Sequence, residues 1–516
     1  MRTVALLVAL AAALDAAPPS IREIYPRGAQ RGKSLTVYLR GDGLAQGAQV
    51  KTTLPGSFSR LTLSRDPLSE SGAAMARPGT VLPFLLTIKA DAPTGIYPVR
   101  VLTPEGVSNV VLFSVGELPE MEELESKNPK QPNNFANEAQ KVTVPAVING
   151  TLDNADVDQY VFTAQAGQKL VFEVEARRTG SAIDPALEIY DAGGREIARN
   201  DDATGAGVDS RVEVSFARAG EYRVQIHDSK FSEQVQNFYR LKIGSYAYAT
   251  AVFPLGGRRG ESVDVTLSGG NLPQPVKVKA EAPAKGAWFA VRVPGSPSLP
   301  IYLAASDDAE TFEETSPELK EGNVVNGRIA KAGEVDRFKL SVTPGEKWVL
   351  EVTAASLGIS ELDGLLTLYD AAGKKLAGAD DGNGPDPVLP FTVPKGVSEI
   401  SVALEDLLGR GGQGFGYRLV ARRQEPDFVA ELLTPFVNVP AGGTAQVACL
   451  IQRRGYDGVI KLKIPDLPPG FQVAGGHVPS EATAQNFNND NAGRRTARSV
   501  LTITAPAGAE ALFREL

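Results

Sequence analysis

The sequence has 516 residues, 42% of them hydrophobic, with 52 Gly and 36 Pro. That is too long for a single core and suits roughly three to five packed domains. A net charge of -8 with no basic stripe argues against nucleic acid as a partner. The single cysteine, Cys449, excludes an intrachain disulfide, and the two histidines, His227 and His477, leave little material for Ser-His-Asp or Cys-His catalysis.

Residues 1–17 read as an export signal: Arg2, an apolar run from Val4 to Leu14, then small residues before Pro18-Pro19. The cut site stays open between Ala11 and Ala13 and the pairs ending at Ala16 or Ala17. The run is too short to cross a bilayer, and no later segment approaches twenty apolar residues. No membrane span is therefore expected once the signal is removed.

Residues 18–116, unit A, show strands and turns. The stretch from Ile24-Tyr25-Pro26 through Gly32 and the alternating Leu35, Val37 and Leu39 to Gly41-Asp42-Gly43-Leu44 has a counterpart running from Val252-Phe253-Pro254 to Gly269-Gly270-Asn271-Leu272. Gly28 to Ser34 is one residue short of a phosphate-binding loop, and the counterpart has Glu261 in place of Lys33, so it reads as a turn. Residues 117–140 are acidic and carry Pro, with Glu120, Glu122, Glu123 and Glu125 ahead of Pro129, Pro132, Asn133 and Asn134. This composition predicts an extended connector.

Unit B, residues 141–245, is written a second time as B′, residues 323–423. Asn149-Gly150, Asp158, Tyr160, Gly167, Asp184, Tyr190-Asp191, Gly194 and Asp201-Asp202 return in order as Asn326-Gly327, Asp336, Phe338, Gly345, Asp363, Tyr369-Asp370, Gly373 and Asp380-Asp381. Both copies alternate with period two. Leu170, Phe172, Val174 and Ala176 fall on one face, with Lys169, Glu173 and Glu175 on the other, as Trp348, Leu350 and Val352 do against Lys347, Glu351 and Thr353. Each copy is therefore expected to be a half-buried antiparallel β-sandwich.

Between the copies lie unit A′, residues 246–305, which looks shortened, and a second acidic linker, residues 306–322. The order is A-B-A′-B′. Gly409 to Gly414 fits dinucleotide-loop spacing but joins two strands of B′ and opens no helix. Residues 427–516 read as a fifth, immunoglobulin-like unit, with Cys449 as a small buried strand residue, a polar loop from Ser480 to Arg495, and a last strand over 499–504. It is expected to be either incomplete or poorly closed by 510–516. The fold class predicted for the whole chain is all-β, a multidomain string of antiparallel sandwiches, jelly-roll-like and immunoglobulin-like.

Carboxylates supply the chemical signal. Asp153, Asp156 and Asp158 crowd one turn, Asp201, Asp202 and Asp209 another, and Asp380, Asp381 and Asp386 echo the second. Hard cations such as calcium take six to eight oxygen ligands, so such clusters qualify as candidate sites. Polar turns collect Asp for structural reasons as well.

The aromatic-Pro entry and Gly-rich corner of A and A′ resemble TIG-type immunoglobulin-like domains. The B units, on Gly150, Asp158, Tyr160, Phe162, Gly167, Asp184, Leu187, Tyr190, Gly194, Asp201, Asp202, Gly220, Tyr222 and Val224, resemble the bacterial pre-peptidase C-terminal domain, a β-sandwich carried by secreted proteases. That resemblance implies a calcium site where an Asn-bearing acidic linker folds over the first turn. The candidate ligands are Asn133, Asn134, Asp153, Asp156 and Asp158, with Glu123 or Glu125 upstream. B′ departs from the pattern, having no Pro-Asn-Asn and Gly333-Glu334 where Asp156 would be.

No Gly-x-Ser-x-Gly or His-Glu-x-x-His motif accompanies the histidines, so the expectation is a protein that is not an enzyme. It is expected to be secreted or periplasmic in a bacterium. There it would act as a binding, adhesion or spacer module toward an extracellular or envelope protein or polysaccharide. The alternative is the non-catalytic accessory portion of a secreted peptidase or other hydrolase. A carbohydrate-binding role would need exposed aromatic platforms, and with 7% aromatics, mostly on inward faces, it is the weaker expectation.

Overall fold

The computed structural model describes residues 18–44, 47–62, 80–124, 132–152, 156–231, 237–424, 426–433, 436–465, 467–480, 488–489 and 495–509. Residues 1–17, expected to form an export signal, Asp153, Glu125, Pro129, most of the polar loop after Ser480 and residues 510–516 lie outside the described residues. Among the described residues strand accounts for 54% and helix for 2%, and the sheets are built largely from antiparallel pairs, as the period-two pattern predicts.

Five hydrophobic cores follow one another along the sequence. In A, the strands Ser20–Tyr25, Ser34–Asp42, Thr80–Ile88 and Gly56–Arg60 form one sheet. Gly28–Gln30, Val111–Gly116, Gly95–Thr103 and Gln49–Thr52 form the other. A′ has three strands in each sheet.

Unit B has two five-stranded sheets. One runs Glu120–Glu122, Ala146–Thr151, Phe238–Gly244, Lys169–Glu175 and Arg211–Ser215; the other runs Gln140–Lys141, Val157–Ala164, Gly220–Asp228, Pro185–Tyr190 and Glu196–Asn200. Between them Phe162, Phe172, Phe216 and Tyr222 form a contiguous aromatic cluster. Burying each such ring stabilises the unit by about 1.5–3 kcal/mol.

The acidic linkers are not merely connectors. Glu120–Glu122 adds to the edge of the first B sheet in parallel with Val147–Asn149, and Glu310–Phe312 adds in the same register to Val324–Asn326 of B′. The repeated Asn-Gly pair is what receives them. Asn149 Nδ2 donates to Glu120 Oε2 at 2.8 Å and Asn326 Nδ2 donates to Glu310 Oε2 at 2.6 Å. The following glycine leaves room for a tyrosine, since a Cβ on Gly150 or Gly327 would run into the ring of Tyr239 or Tyr417.

In B′ the strand Lys347–Thr353 keeps the alternation read from the sequence, with Trp348, Leu350 and Val352 buried and the residues between them partly or fully exposed. In B it does not. Every residue from Leu170 to Glu175 is buried, including Glu173 and Glu175, which the sequence pattern assigns to a solvent face. The reason is coverage by neighbouring units. Ser114 Oγ of A donates to Glu175 Oε2 at 2.8 Å, Arg27 of A lies 3.3 Å over the Phe238 ring, and Lys242 Nζ donates to the Pro297 carbonyl of A′ at 3.4 Å.

Buried charges there are matched. Glu175 pairs with Arg240 and Lys242; Glu173 pairs with Lys242 at 3.3 Å and Arg211 at 3.2 Å; Arg178 pairs with Asp209 at 2.7 Å. Burial on its own would raise the Glu175 carboxyl, but the Lys242 and Arg240 cations overcome it and hold the group well below the usual carboxylate range. Arg240 also reaches Glu120 of the linker and passes against Gly28 of A, where a Cβ would strike its guanidinium. Arg418, Glu310 and Gly256 repeat that arrangement between A′ and B′.

The units also meet out of sequence order. Gly205 N of B donates to Gly358 O of B′ at 3.0 Å, and Arg292 of A′ donates to the Thr94 carbonyl of A. Asn438 of the fifth unit bonds both main-chain groups of Val107 in A, accepting from N at 2.8 Å and donating to O at 2.7 Å.

Candidate functional site

A buried cluster of carboxyl and phenol groups lies where the first linker enters B. Glu123 follows the added edge strand, and its backbone N donates to Asn149 O at 2.9 Å, which continues the ladder and turns its side chain inward. Asp158 and Tyr160 come from the strand Val157–Ala164, Tyr239 comes from Phe238–Gly244, and Asn133 comes from the linker. All five are buried, with Asp158 and Glu123 fully so.

Their polar atoms converge. Tyr239 Oη donates to Asp158 Oδ2 at 2.6 Å and is hydrogen-bonded to the Tyr160 hydroxyl, which lies 3.3 Å from Glu123 Oε1. Asn133 Nδ2 donates to Glu123 Oε1 at 3.3 Å, and Thr151 N to Glu123 Oε2 at 3.0 Å. Asp158 and Glu123 are themselves hydrogen-bonded. Burial first, and then the Glu123 charge, push the Asp158 carboxyl well above the ordinary aspartate value. Two carboxyl groups in contact away from water cannot both stay ionised unless a cation lies between them; otherwise they share a proton.

The residues fit a hard cation in their donor chemistry. Besides the two carboxylates, the shielded Asn134 Oδ1 has no hydrogen-bond partner, while the Asn134 backbone carbonyl accepts from Gln159 Nε2 at 2.8 Å. Among the described residues no three His, Cys, Asp or Glu side chains converge, so amide and backbone oxygens would have to complete a shell.

The structure thus brings Asn133 and Asp158 together with Glu123, while Asn134 follows Asn133 in the linker and its carbonyl is held by Gln159. Asp156 sits one turn away, its Oδ1 accepting from Val157 N at 2.8 Å and its charge adding to the rise at Asp158. Asp153 lies outside the described residues. Reading the sequence for ligands missed Tyr160 and Tyr239. Aligning the two copies carries the signal, because Glu123 falls on Glu313 and Tyr239 on Tyr417.

In B′ the same pair is present in a more open setting. Tyr417 Oη donates to Asp336 Oδ2 at 2.7 Å and lies 2.9 Å from Glu313 Oε2, and Arg328 N donates to Glu313 Oε1 at 3.1 Å. Partial burial, and then the hydrogen bond to Asp336, push the Glu313 carboxyl up to about 8.

The other acidic clusters have structural roles. Asp209 accepts from the backbone N of Ala176, Arg177 and Arg178, capping a short 3-10 turn, and Asp386 does the same for Ala354 and Ser356. Asp201 and Asp202 are exposed. His227 stacks flat on Phe231 at 4.8 Å and faces Glu188 at 3.5 Å, and His477 sits in a separate short strand of the fifth unit. Cys449 is buried in the fifth core. Gly28–Gln30 is a strand against Arg240, and Gly409 to Gly414 connects Glu399–Asp406 to Gly416–Arg423.

No family model matches the chain. A probable subtilase-type serine protease of Deinococcus radiodurans is 28% identical over 219 residues, 39% of this chain and 27% of that protein, so the chain spans about a quarter of that relative's length. Among solved structures, the pre-peptidase C-terminal domain of a Bacillus anthracis collagenase matches at 18% identity, covering 22% of this chain and 99% of that one, with a TM-score of 0.18. The tandem CBM51 modules of a family 98 glycoside hydrolase from Streptococcus pneumoniae match at 10% identity over 53% of this chain and 83% of theirs, with a TM-score of 0.15. None of these likenesses fixes an activity, ligand or partner for this chain. Among the described residues, no helix is long and apolar enough to cross a membrane.

Proposed function

We propose that the chain is an exported, non-catalytic binding protein of the bacterial envelope or exterior. In this reading its sandwiches are locked edge to face into a stiff body, and calcium ties the first linker to unit B. Glu123, Asp158, Asn133 and Asn134 would hold the ion, with Asp156 and Asp153 from the adjoining turn. When bound, the cation supplies the positive charge that two buried carboxylates need. The contact between Glu123 and Asp158, far from solvent and anchored on a linker strand, carries this reading.

Calorimetry of the whole protein in calcium and in chelator tests it. The transition of the first B unit should rise with calcium in proportion to the logarithm of its concentration. An identical transition in both buffers refutes the calcium part.

A second reading is an accessory portion of a secreted peptidase, supported by the 219-residue similarity to a subtilase-type protease. Sequencing the gene past residue 516 separates the two, because a frame that continues into a peptidase domain favours the second.

A further inference from the structure

The chain has two tryptophans in opposite settings: Trp348 is 2% exposed in the core of B′, whereas Trp288 is 52% exposed on A′. The strand Trp288–Val291 pairs antiparallel with Ile301–Ser306, setting Trp288 opposite Ala304 and Ala290 opposite Tyr302. Directly opposed residues share a face, so these four point away from the side that carries the core residues Phe289, Val291 and Leu303. Tyr302 is also 52% exposed. Two large rings therefore stand diagonally on one open sheet face, each with only an alanine methyl across from it.

Arg292 continues the row on that face, two residues beyond Ala290. Its Nη2 donates to the Thr94 carbonyl, while Nη1 is shielded from solvent and has no acceptor. Among the described residues no carboxylate lies within ion-pair distance of it. Glu117, whose charge reaches it, is already paired with Arg31 at 2.5 Å. The row thus reads aromatic, aromatic, uncompensated cation.

We infer that this face of A′ is a glycan-binding surface for a polysaccharide whose sugars carry carboxylates, with Trp288 and Tyr302 stacking on sugar rings and the uncompensated charge of Arg292 beside them attracting the carboxylates. A pyranose ring has an apolar C–H face rimmed by hydroxyls, which complements rings that are apolar in body and polar at the tip. A positive charge with no carboxylate paired to it favours a polymer of opposite charge over a neutral one. This inference rests on the binding-protein reading above and supplies its ligand class.

The test is affinity electrophoresis of the whole protein in gels containing polygalacturonate, alginate or hyaluronan, with a neutral glucan gel in parallel, together with a fluorescence titration by the polymer that retards it most. Because Trp348 is buried, a ligand-dependent change in emission reports Trp288. We expect saturable retardation by at least one acidic polymer and at least a tenfold weakening in Trp288→Ala and in Tyr302→Ala. Arg292→Met should lose the preference for acidic over neutral polymer. Both aromatic side chains are exposed, so melting transitions equal to wild type will show that these variants fold.

No retardation by any acidic polymer, equal retardation by the neutral glucan, or unchanged binding in Trp288→Ala overturns the inference. If the wild type and Trp288→Ala are retained equally by a cell-envelope or matrix fraction, the binding-protein reading survives and this surface does not. If no fraction retains the wild type, both fall.

Discussion

Asp158 and Glu123 touch in a place that water does not reach, and Tyr160, Tyr239 and Asn133 turn their polar atoms toward them. Without a cation, burial and the neighbouring Glu123 charge favour the protonated form of Asp158. Replacing Asp158 by Asn removes the ionisable group and keeps the shape. We expect Asp158→Asn to melt at the same temperature with calcium as with chelator, and in chelator at pH 8 to be at least as stable as wild type by calorimetry.

At Glu313 the sign of the pH dependence follows from the direction of the shift. Its folded value, about 8, lies above the unfolded glutamate range, so the folded state holds the proton more tightly. The stabilisation is complete below the unfolded value and is lost as pH rises toward about 8. Urea titrations of B′ across that window should show stability falling with pH in wild type, and a much flatter profile in Glu313→Gln. Glu313 is half-exposed, so the effect will be moderated by solvent.

At the level of elements, the strands were legible because alternation and turn residues are local properties. Trp348, Leu350 and Val352 point inward as their spacing says. The burial of Glu173 and Glu175 was not legible, since periodicity describes one sheet and cannot show that A and A′ lie on its other face. The site was legible in part. Asn133 and Asp158 announced themselves by type and position, whereas Tyr239 looks like any strand tyrosine until Gly150 is seen to make room for it.

The same reasoning makes Gly28 a contact residue. Gly28→Ala must displace the Arg240 guanidinium, and overpacking of this kind costs about 1–3 kcal/mol. Arg240→Ala leaves Glu175 and Glu120 short of a counter-charge and should cost about 3–5 kcal/mol, read from denaturant midpoints. A loss under about 0.5 kcal/mol in both variants would show that the A-B junction is not fastened there.

At the scale of the whole molecule, contacts between units outweigh what a chain of independent beads would need. Gly205 meets Gly358, Arg292 meets Thr94, and Asn438 spans 331 positions of sequence to reach Val107. Asn438→Ala removes both bonds to Val107 and leaves the stacking of Arg100 over the Phe436 ring at 5.1 Å, so it should leave each core intact while loosening the fifth unit. Small-angle scattering should then report a larger radius of gyration with unchanged strand content by circular dichroism.

The clasp at Val107 has a mechanical consequence. A side-chain amide bonded to both main-chain groups of a single residue opens by parting two bonds, whereas Thr444–Arg454 and Arg495–Thr504 are held by a ladder of nine paired positions from Thr444↔Thr504 to Gln452↔Thr496. Under tension applied between the first and fifth units the clasp yields first and the sandwiches afterwards. The protein would therefore lengthen in a small early step under load before any core is torn open, behaving as a fuse between whatever its two ends hold.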